Sequence, residues 1–273
     1  MTHDRRPAPP QLQDDTTSEE SIGRLILTSW STAVGRLLVR FARRLARSVS
    51  AHGVLYLTSL VGLVLVGSLT ALGAAVYDAV SESDGISTLD RPTLQLALDH
   101  RSAGIDRGLT IFTHLGGPVG MTIIAVVITG LMVWRWRSRT PLVLMIVAVT
   151  GSLLITVLGK NEVGRHRPPQ VDAVPPYETS PSFPSGHALN STVIAGLVAY
   201  LILRRLHRQL ARVLTIVVAV AWAIAIGLSR VFLGHHWLTD VMFGWVIGLA
   251  WLGVVITAHR LYLTVRGPRE QPS

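Results

Sequence analysis

The sequence predicts an all-α, polytopic membrane protein with six transmembrane helices in one bundle, and three observations support this fold class. Charged residues make up 15% of the 273 residues, whereas soluble domains carry about 25%. Apolar residues account for 49% of the chain. After the first fifty residues, six apolar stretches with almost no charged residues each approach the roughly 20 residues that a helix needs to cross a bilayer.

These six stretches are interpreted as helices because a strand facing lipid would leave its backbone groups unpaired. No stretch alternates strictly enough between polar and apolar residues to suggest a β-barrel. Together the spans define one predicted membrane domain, 53–258. The predicted spans are 53–77, 115–134, 140–159, 187–203, 213–229 and 240–258.

The two ends of the chain are predicted to lie outside this bundle. Residues 1–20 combine Pro, Gln and charged residues with few large apolar ones, which is typical of a disordered tail. In 21–50, apolar residues alternate with six arginines. That pattern predicts a basic amphipathic helix on anionic inner-leaflet lipids, rather than a nucleic-acid contact. Residues 259–273 are predicted to form a cytoplasmic tail.

The distribution of basic residues predicts the orientation. With the N-terminus inside, 18 of the 25 Lys and Arg residues lie in inner segments and 7 in outer ones. The positive-inside rule therefore predicts that both termini are cytoplasmic. The polar segments 160–187 and 229–240 then meet on the outer side. The long outer segment 78–114 is predicted to lie on the outer leaflet, with Asp90, Asp99 and Asp106 solvated.

Three cations lie near the outer ends of the predicted spans: Lys160, Arg167 and Arg230. A cation near hydrocarbon usually has an anionic partner, and a phosphate would suit this excess of positive charge. As isolated residues they could equally be anchors that extend to the lipid headgroups. Lys160 is the only lysine of the chain, which favours a specific role for it.

Ser185, Gly186 and His187 follow Pro184 and open the fourth predicted span. The amides of Ser185 and Gly186 would lie at a helix N-terminus, where backbone N–H groups and the helix dipole attract anions. Ser185 could also be no more than a helix cap.

His236 and Asp240 are four residues apart and so share one helical face. A carboxylate next to one imidazole nitrogen fixes the tautomer and makes the other nitrogen a better nucleophile. His235 is expected to point elsewhere. Two alternatives remain open: a structural His–Asp pair, and a zinc site built from His187, His235, His236 and Asp240.

Together these residues resemble the three-part signature of the type 2 phosphatidic acid phosphatase family. The parts are Lys160-x6-Arg167-Pro168, Pro184-Ser185-Gly186-His187 and Ser229-Arg230-x5-His236-x3-Asp240. All three occur in order and without departure, and the resemblance covers about residues 55–258. Lipid phosphate phosphatases, glucose-6-phosphatase-like enzymes and vanadium haloperoxidases are also members of this superfamily.

The resemblance implies a lipid phosphate or pyrophosphate phosphatase that works through a phosphohistidine. His236 would be the nucleophile, His187 the proton donor and acceptor, and Asp240 the residue that orients His236. The phosphate would be held by Lys160, Arg167, Ser185, Gly186 and Arg230. No metal and no cofactor is expected, since fixed cations supply the charge.

Several alternatives and open points remain at this stage. The same phosphohistidine could pass its phosphate to an acceptor other than water, which would make the protein a lipid phosphotransferase. Vanadate-dependent halide oxidation and non-enzymatic binding of anionic lipids fit the sequence less well. Glu162, Arg165 and His166 are interpreted as polar loop residues. The lipid (phosphatidic acid, phosphatidylglycerol phosphate or an isoprenyl pyrophosphate) and the oligomeric state are not indicated.

Overall fold

The computed structural model describes residues 21–22, 25–46, 48–80 and 86–266. The side chains of 21, 25, 51, 69–80 and 86 are not described. The predicted disordered tail, 1–20, and the end of the predicted cytoplasmic tail, 267–273, lie outside the described residues.

The described part of the chain is almost entirely helical. A short antiparallel pair of two-residue strands, β1 (Ser21–Ile22) and β2 (Leu25–Ile26), precedes the helices. Two 3₁₀ turns, Ile86–Leu89 and Gln170–Asp172, lie in the connections. The α-helices are α1 (Ala33–Leu45), α2 (Ala51–Val80), α3 (Asp90–Asp99), α4 (Ala103–Leu115), α5 (Pro118–Trp136), α6 (Thr140–Val163), α7 (Gly186–Leu203), α8 (Gln209–Phe232) and α9 (Leu238–Arg266).

Five of these helices, α5 to α9, are long and apolar enough to cross a membrane. Large apolar side chains of α5 and α8, such as Val126 and Val218, are about two-thirds exposed; such surfaces are stable when they face lipid. The protein is therefore a multi-pass, all-α membrane protein. The first predicted span lies in α2, whose described apolar stretch is His52–Ser68, so the count of six spans stays a prediction.

Helix α7 lies at the centre of the bundle and positions its neighbours. Its residues Leu189 and Leu197 are fully buried, and it packs against α6, α8 and α9. Helices α6 and α9 are joined by Trp251, whose indole N–H donates to the Ala148 carbonyl over 2.9 Å. The indole ring lies against Gly151, where a Cβ atom would come within 2.1 Å of it, so α6 and α9 approach closely only because residue 151 is glycine.

Helix α9 approaches the beginning of α7 through two glycines, Gly244 and Gly248. A Cβ atom on Gly244 would lie 2.9 Å from the Ser185 carbonyl oxygen, and one on Gly248 would lie 3.0 Å from the Leu189 carbonyl oxygen. This spacing of small residues is typical of close helix packing in membranes. It brings the start of α9 against the start of α7.

Three expectations about the flanking segments are corrected by the structure. The basic helix is shorter than predicted, because α1 covers Ala33–Leu45 and not the whole of 21–50. The predicted tail 259–273 is wrong over its first part, because α9 continues to Arg266. The segment predicted to lie on the outer side, 78–114, contains two helices, α3 and α4, and Asp90 at the start of α3 is buried rather than solvated.

Candidate active site

One end of the bundle collects the predicted site residues because four helix ends meet there. Lys160 lies in the last turn of α6 and Arg230 in the last turn of α8. Ser185 occupies the N-cap position of α7, and Asp240 lies in the first turn of α9. The antiparallel order of these helices therefore brings segments 160–187 and 229–240 together, as the sequence predicts.

Arg167 makes the most contacts within this cluster. Its Nη1 atom donates to the His235 carbonyl oxygen over 2.5 Å and lies 3.2 Å from His236 Nε2. Its Nε atom donates to the Ser180 carbonyl oxygen over 2.7 Å. Lys160 approaches the same loop, since its ammonium group donates to Ser180 Oγ over 3.0 Å and to the Pro181 carbonyl oxygen over 2.5 Å. Two of the predicted cations thus converge on one loop, 180–181.

The third cation, Arg230, joins this cluster through a carboxylate, that of Glu178. Glu178 Oε2 lies 2.7 Å from Arg167 Nη2, and its Oε1 atom accepts from Arg230 Nη2. Burial alone would raise the pKa of Glu178, but Arg230 and Arg167 outweigh it and lower that pKa below its usual value. An ionised carboxylate therefore lies between two of the three cations that were predicted to bind the phosphate.

His236 is 1% exposed and reaches the cluster with its Nε2 atom. Its other ring nitrogen, Nδ1, lies 3.4 Å from Ser182 Oγ and 3.7 Å from Asp240 Oδ2. Burial and then the charges of Arg167 and Arg230 lower the pKa of His236 well below the usual histidine value. The imidazole is therefore neutral near pH 7. Since acceptors face Nδ1, the favoured tautomer carries its proton there and leaves Nε2 unprotonated, where it can accept from Arg167 Nη1.

The expected direct hydrogen bond between His236 and Asp240 is not formed at 3.7 Å. Asp240 is fully buried and is held by other groups. Its Oδ2 atom accepts from Ser182 Oγ over 2.5 Å and from the Trp237 N–H over 3.0 Å. The second contact satisfies an N-terminal amide of α9, as a capping-box carboxylate does. Ser182 thus lies between the carboxylate and the imidazole, and no motif in the sequence marks it for this role.

Two further residues of this network, Arg165 and Asp90, were misassigned by sequence reasoning. Arg165 donates to Asp240 Oδ1 over 2.5 Å and to Asp90 Oδ2 over 2.7 Å, and so is more than a polar loop residue. Asp90 also accepts from the backbone N–H and the hydroxyl of Thr239, over 2.9 and 2.7 Å. The role of Arg165 could have been suspected from its position between Lys160 and Arg167. No feature of the sequence around Asp90 indicates that this residue is part of the network.

The start of α7 differs in one respect from the expected anion site. The Ser185 N–H donates to the Asp240 carbonyl oxygen over 3.1 Å and is therefore not available to a phosphate. Ser185 is fully buried, its side chain makes no cap bond, and its hydroxyl has no partner among the described residues. The hydroxyl, rather than the amide, is the group that Ser185 can offer to a ligand.

A large, mainly apolar cleft leads to this cluster. It has a volume of about 1050 Å³ and runs along α5 and α6. Its polar end includes Lys160, Glu178, His187 and His236, which places both predicted catalytic histidines on one cavity. Its apolar wall is lined by residues such as Met121, Ala125, Val126, Met145, Ile146 and Leu153.

The alternative zinc site finds no support in this geometry. His235 Nε2 lies 2.6 Å from the Val174 carbonyl oxygen, and His235 is not among the residues that line the cleft. Burial, together with the charge of Arg230, lowers the pKa of His235 to about 4. Among the described residues, no group of three or more His, Asp or Glu side chains is arranged to hold a metal ion.

Comparison with known proteins agrees with the sequence resemblance. The family model described as PAP2 superfamily matches residues 141–262. Phosphatidylglycerophosphatase B of Bacillus subtilis (strain 168) is 30% identical over 179 residues, which cover 64% of this chain and 85% of that protein.

A solved structure shows the same architecture. It is described as the first transmembrane PAP2-type phosphatidylglycerolphosphate phosphatase from Bacillus subtilis. It superposes with a TM-score of 0.61 at 26% identity, and the match covers 69% of this chain and 93% of that one. The order of the three motifs, the family match and this structural likeness agree, and the chain belongs to the PAP2 superfamily as a multi-pass membrane member.

Proposed function

We propose that the protein is a membrane phosphatase that hydrolyses lipid phosphates or pyrophosphates through a phosphohistidine on His236. One observation carries this proposal: the Nε2 atom of a buried, neutral imidazole lies among cations at the polar end of an apolar cleft. Phosphoryl transfer requires mainly positioning and stabilisation of charge. Lys160, Arg167 and Arg230, which we call the anion cage, provide both.

The substrate phosphate would take the place of the Glu178 carboxylate. Arg167 and Arg230 already bind two oxygens of that carboxylate, and a phosphate offers them oxygens of similar geometry with more charge. The unpartnered Ser185 hydroxyl adds a donor at the start of α7. In this position the phosphate lies beside Arg167 Nη2. The other terminal nitrogen of the same guanidinium group, Nη1, is 3.2 Å from His236 Nε2, so the phosphorus atom comes within reach of that imidazole nitrogen.

The reaction then proceeds in two displacements. His236 Nε2 forms a bond to phosphorus while the bond from phosphorus to the leaving oxygen breaks, and His187 gives that oxygen a proton. A water molecule next attacks the phosphohistidine, the P–N bond breaks, and His187 takes the proton from the water. Ser182 Oγ, which donates to Asp240, faces the Nδ1 proton, and the nearby Asp240 carboxylate stabilises the positive charge that develops on the ring.

The cleft favours a lipid substrate. An apolar passage of about 1050 Å³ that ends among cations suits a molecule with a long apolar tail and a terminal phosphate. Phosphatidic acid, phosphatidylglycerol phosphate and isoprenyl pyrophosphates share these features. The two relatives named as phosphatidylglycerophosphate phosphatases support the same class.

The proposed orientation places the cage at the outer face and both termini in the cytoplasm. Its support is the count of basic residues, 18 in the predicted inner segments against 7 in the outer ones. Helix α1 would then lie on the inner leaflet. Its exposed apolar residues Val34, Leu37, Leu38 and Phe41 follow a helical spacing of three and four, and its exposed arginines would contact anionic lipids.

The direct test of the proposed chemistry is a trapping experiment with a labelled lipid phosphate. Wild-type protein, supplied with substrate and EDTA, is expected to release phosphate and to carry an acid-labile phosphoryl group. His236→Asn should carry no label and show no turnover. His166→Asn is the matched control, because His166 is exposed on the same side of the bundle and does not line the cleft.

Different outcomes separate the alternatives. Label retained in the His236→Asn variant would contradict the assignment of the nucleophile. Loss of activity in EDTA would contradict metal independence. If an added alcohol or lipid acceptor is phosphorylated in preference to water, the protein is a lipid phosphotransferase and not a phosphatase.

A further inference from the structure

A second cavity, of about 390 Å³, lies at the end of the bundle opposite to the anion cage. It opens beside Thr140, at the beginning of α6, whereas Lys160 lies in the last turn of that helix. Twenty helical residues separate the two, a distance of about 30 Å at 1.5 Å per residue. We call this space the basic cavity. Its polar wall residues are His52, Ser138, Arg139, His259, Tyr262 and Arg266.

The basic cavity offers hydrogen-bond donors and positive charge. Two guanidinium groups and two imidazoles contribute to its wall, and none of the described wall residues is an Asp or a Glu. A guanidinium group has donors only. The chemistry of the wall therefore matches a ligand that is an acceptor and carries negative charge.

His259 provides an independent observation that points to a ligand. The residue is 1% exposed, and its Nδ1 atom lies 2.8 Å from Tyr200 Oη. Tyr200 does not belong to the wall of the basic cavity, whereas His259 does, so the part of the ring that points away from Tyr200 lies nearest to the cavity. That Nε2 atom is buried and has no hydrogen-bond partner among the described residues.

An unpaired buried polar atom of this kind is uncommon and destabilises the folded protein. In the tautomer in which the Tyr200 hydroxyl donates to Nδ1, the ring carries its proton on Nε2, which is then a donor without an acceptor. An acceptor bound there would remove this destabilisation. Arg139 lies on the same wall and adds a positive charge next to this donor.

We propose that the basic cavity binds a phosphate-type anion, with His259 Nε2 and Arg139 as its donors. The phosphate group of an anionic membrane phospholipid and inorganic phosphate share this chemistry. Basic pockets between transmembrane helices commonly bind anionic headgroups. The neighbouring α1 carries exposed arginines and packs against the same end of the bundle, since Ala42 contacts Val54 and Leu261. This site is distinct from the anion cage.

The test compares two neighbouring arginines, Arg139 in the connection between α5 and α6 and Arg135 in the last turn of α5. Arg139→Gln removes a charge from the wall; Arg135→Gln removes an exposed charge that does not line the basic cavity. Purified full-length proteins are incubated with phosphatidylglycerol or phosphatidylcholine, and bound lipid is counted by native mass spectrometry. We expect Arg139→Gln to retain at least fivefold less phosphatidylglycerol than wild type and Arg135→Gln, with phosphatidylcholine unchanged.

A second arm titrates inorganic phosphate and follows the melting temperature. The anion cage also binds phosphate, so the informative quantity is the difference between the two variants. If Arg139→Gln is no longer stabilised by inorganic phosphate but still retains phosphatidylglycerol, the ligand of the basic cavity is free phosphate. Equal behaviour of both variants toward both ligands would overturn the proposal. Lipid phosphatase turnover should be unchanged in both, so the outcome does not depend on the proposed function.

His259→Gln gives an independent check of the second donor. This substitution should weaken the binding of the same ligand that Arg139→Gln affects, whether that ligand is phosphatidylglycerol or phosphate. Its melting temperature without ligand shows whether the variant is folded. A folded His259→Gln that binds both ligands like wild type would also contradict the proposal.

Discussion

Arg165 Nη1 lies 2.5 Å from Asp240 Oδ1. Arg165 thereby links the Asp240 carboxylate to Asp90, a residue that lies outside the region matched by the family model. The other terminal nitrogen of Arg165, Nη2, lies 2.7 Å from Asp90 Oδ2, whereas the family match begins at residue 141. Asp90 also accepts from Thr239 next to Asp240. The position of Asp240, and through Ser182 that of His236, therefore depends on a buried network that reaches into α3.

Replacing Asp90 by Asn should destabilise the protein. The substitution removes the charge that balances one side of Arg165, and disruption of a buried ion pair costs about 3–5 kcal/mol. Because Asn can still accept from Thr239, we expect a loss of about 3 kcal/mol, measured by denaturant unfolding in detergent. Asp99→Asn is the control, since Asp99 is exposed on the same helix. Equal stability of the two variants would show that the Asp90–Arg165 contact contributes little.

Replacing Arg165 by Gln should lower kcat more than it changes KM. Arg165 contacts Asp240 rather than the anion cage, so its loss disturbs the orientation of His236 while phosphate binding is retained. We expect kcat to fall by about tenfold to a hundredfold in a lipid phosphate assay. Arg91→Gln, an exposed change on α3, should have no effect. A rise in KM with kcat unchanged would instead place Arg165 in substrate binding.

The sequence predicted the fold class and the meeting of Lys160, Arg167 and His236 because both depend on local patterns. Long apolar stretches define membrane helices, and the antiparallel order of the helices places alternate ends on one side. Asp90 was not predictable, since its burial arises from contacts with Arg165 and Thr239, 75 and 149 residues further along the chain. The hydrogen bond of the Ser185 N–H was not predictable for the same reason, because its acceptor is the distant Asp240 carbonyl oxygen.

Replacing Glu178 by Gln should strengthen inhibition by inorganic phosphate. The Glu178 carboxylate occupies Arg167 and Arg230, so a phosphate must displace it; a neutral amide competes less while it keeps an acceptor for Arg230. We expect the inhibition constant of phosphate to fall by about tenfold, which corresponds to about 1.4 kcal/mol. Glu162→Gln is the control because Glu162 is exposed. An unchanged or higher constant would show that Glu178 does not compete with phosphate.

When kcat/KM is plotted against pH, its fall on the acid side should have a midpoint below the usual histidine pKa of about 6.5. Burial, Arg167 and Arg230 lower the pKa of His236, so the free enzyme keeps the neutral, nucleophilic form as the pH falls below 6.5. The measurement is kcat/KM against pH, since this ratio reports the free enzyme. Removing one cation with Arg167→Gln should reduce activity and shift this midpoint to higher pH. A wild-type midpoint at or above 6.5 would contradict this electrostatic account.

Stability should also fall as the pH decreases from 6.5 towards 4. The pKa of His235 is lowered to about 4 by burial and by Arg230, while in the unfolded chain it stays near 6.5. Between these values the unfolded state binds the additional proton, so stability rises with pH across this interval. His235→Gln should flatten that slope in denaturant unfolding at several pH values. An equal slope in wild type and His235→Gln would exclude His235 as its source.

The close approach of α9 to α7 should be necessary for full activity. A Cβ atom on Gly244 would lie 2.9 Å from the Ser185 carbonyl oxygen and 3.0 Å from Ala188 Cβ, which forces the two helices apart. Because α9 carries Asp240 and α7 begins next to Ser185, Gly244→Ala should lower both stability and kcat. Gly253→Ala is the matched control, since a Cβ atom there would meet nothing within 4 Å. If the two variants were equally active, the spacing of α7 and α9 at Gly244 would not control the geometry of the site.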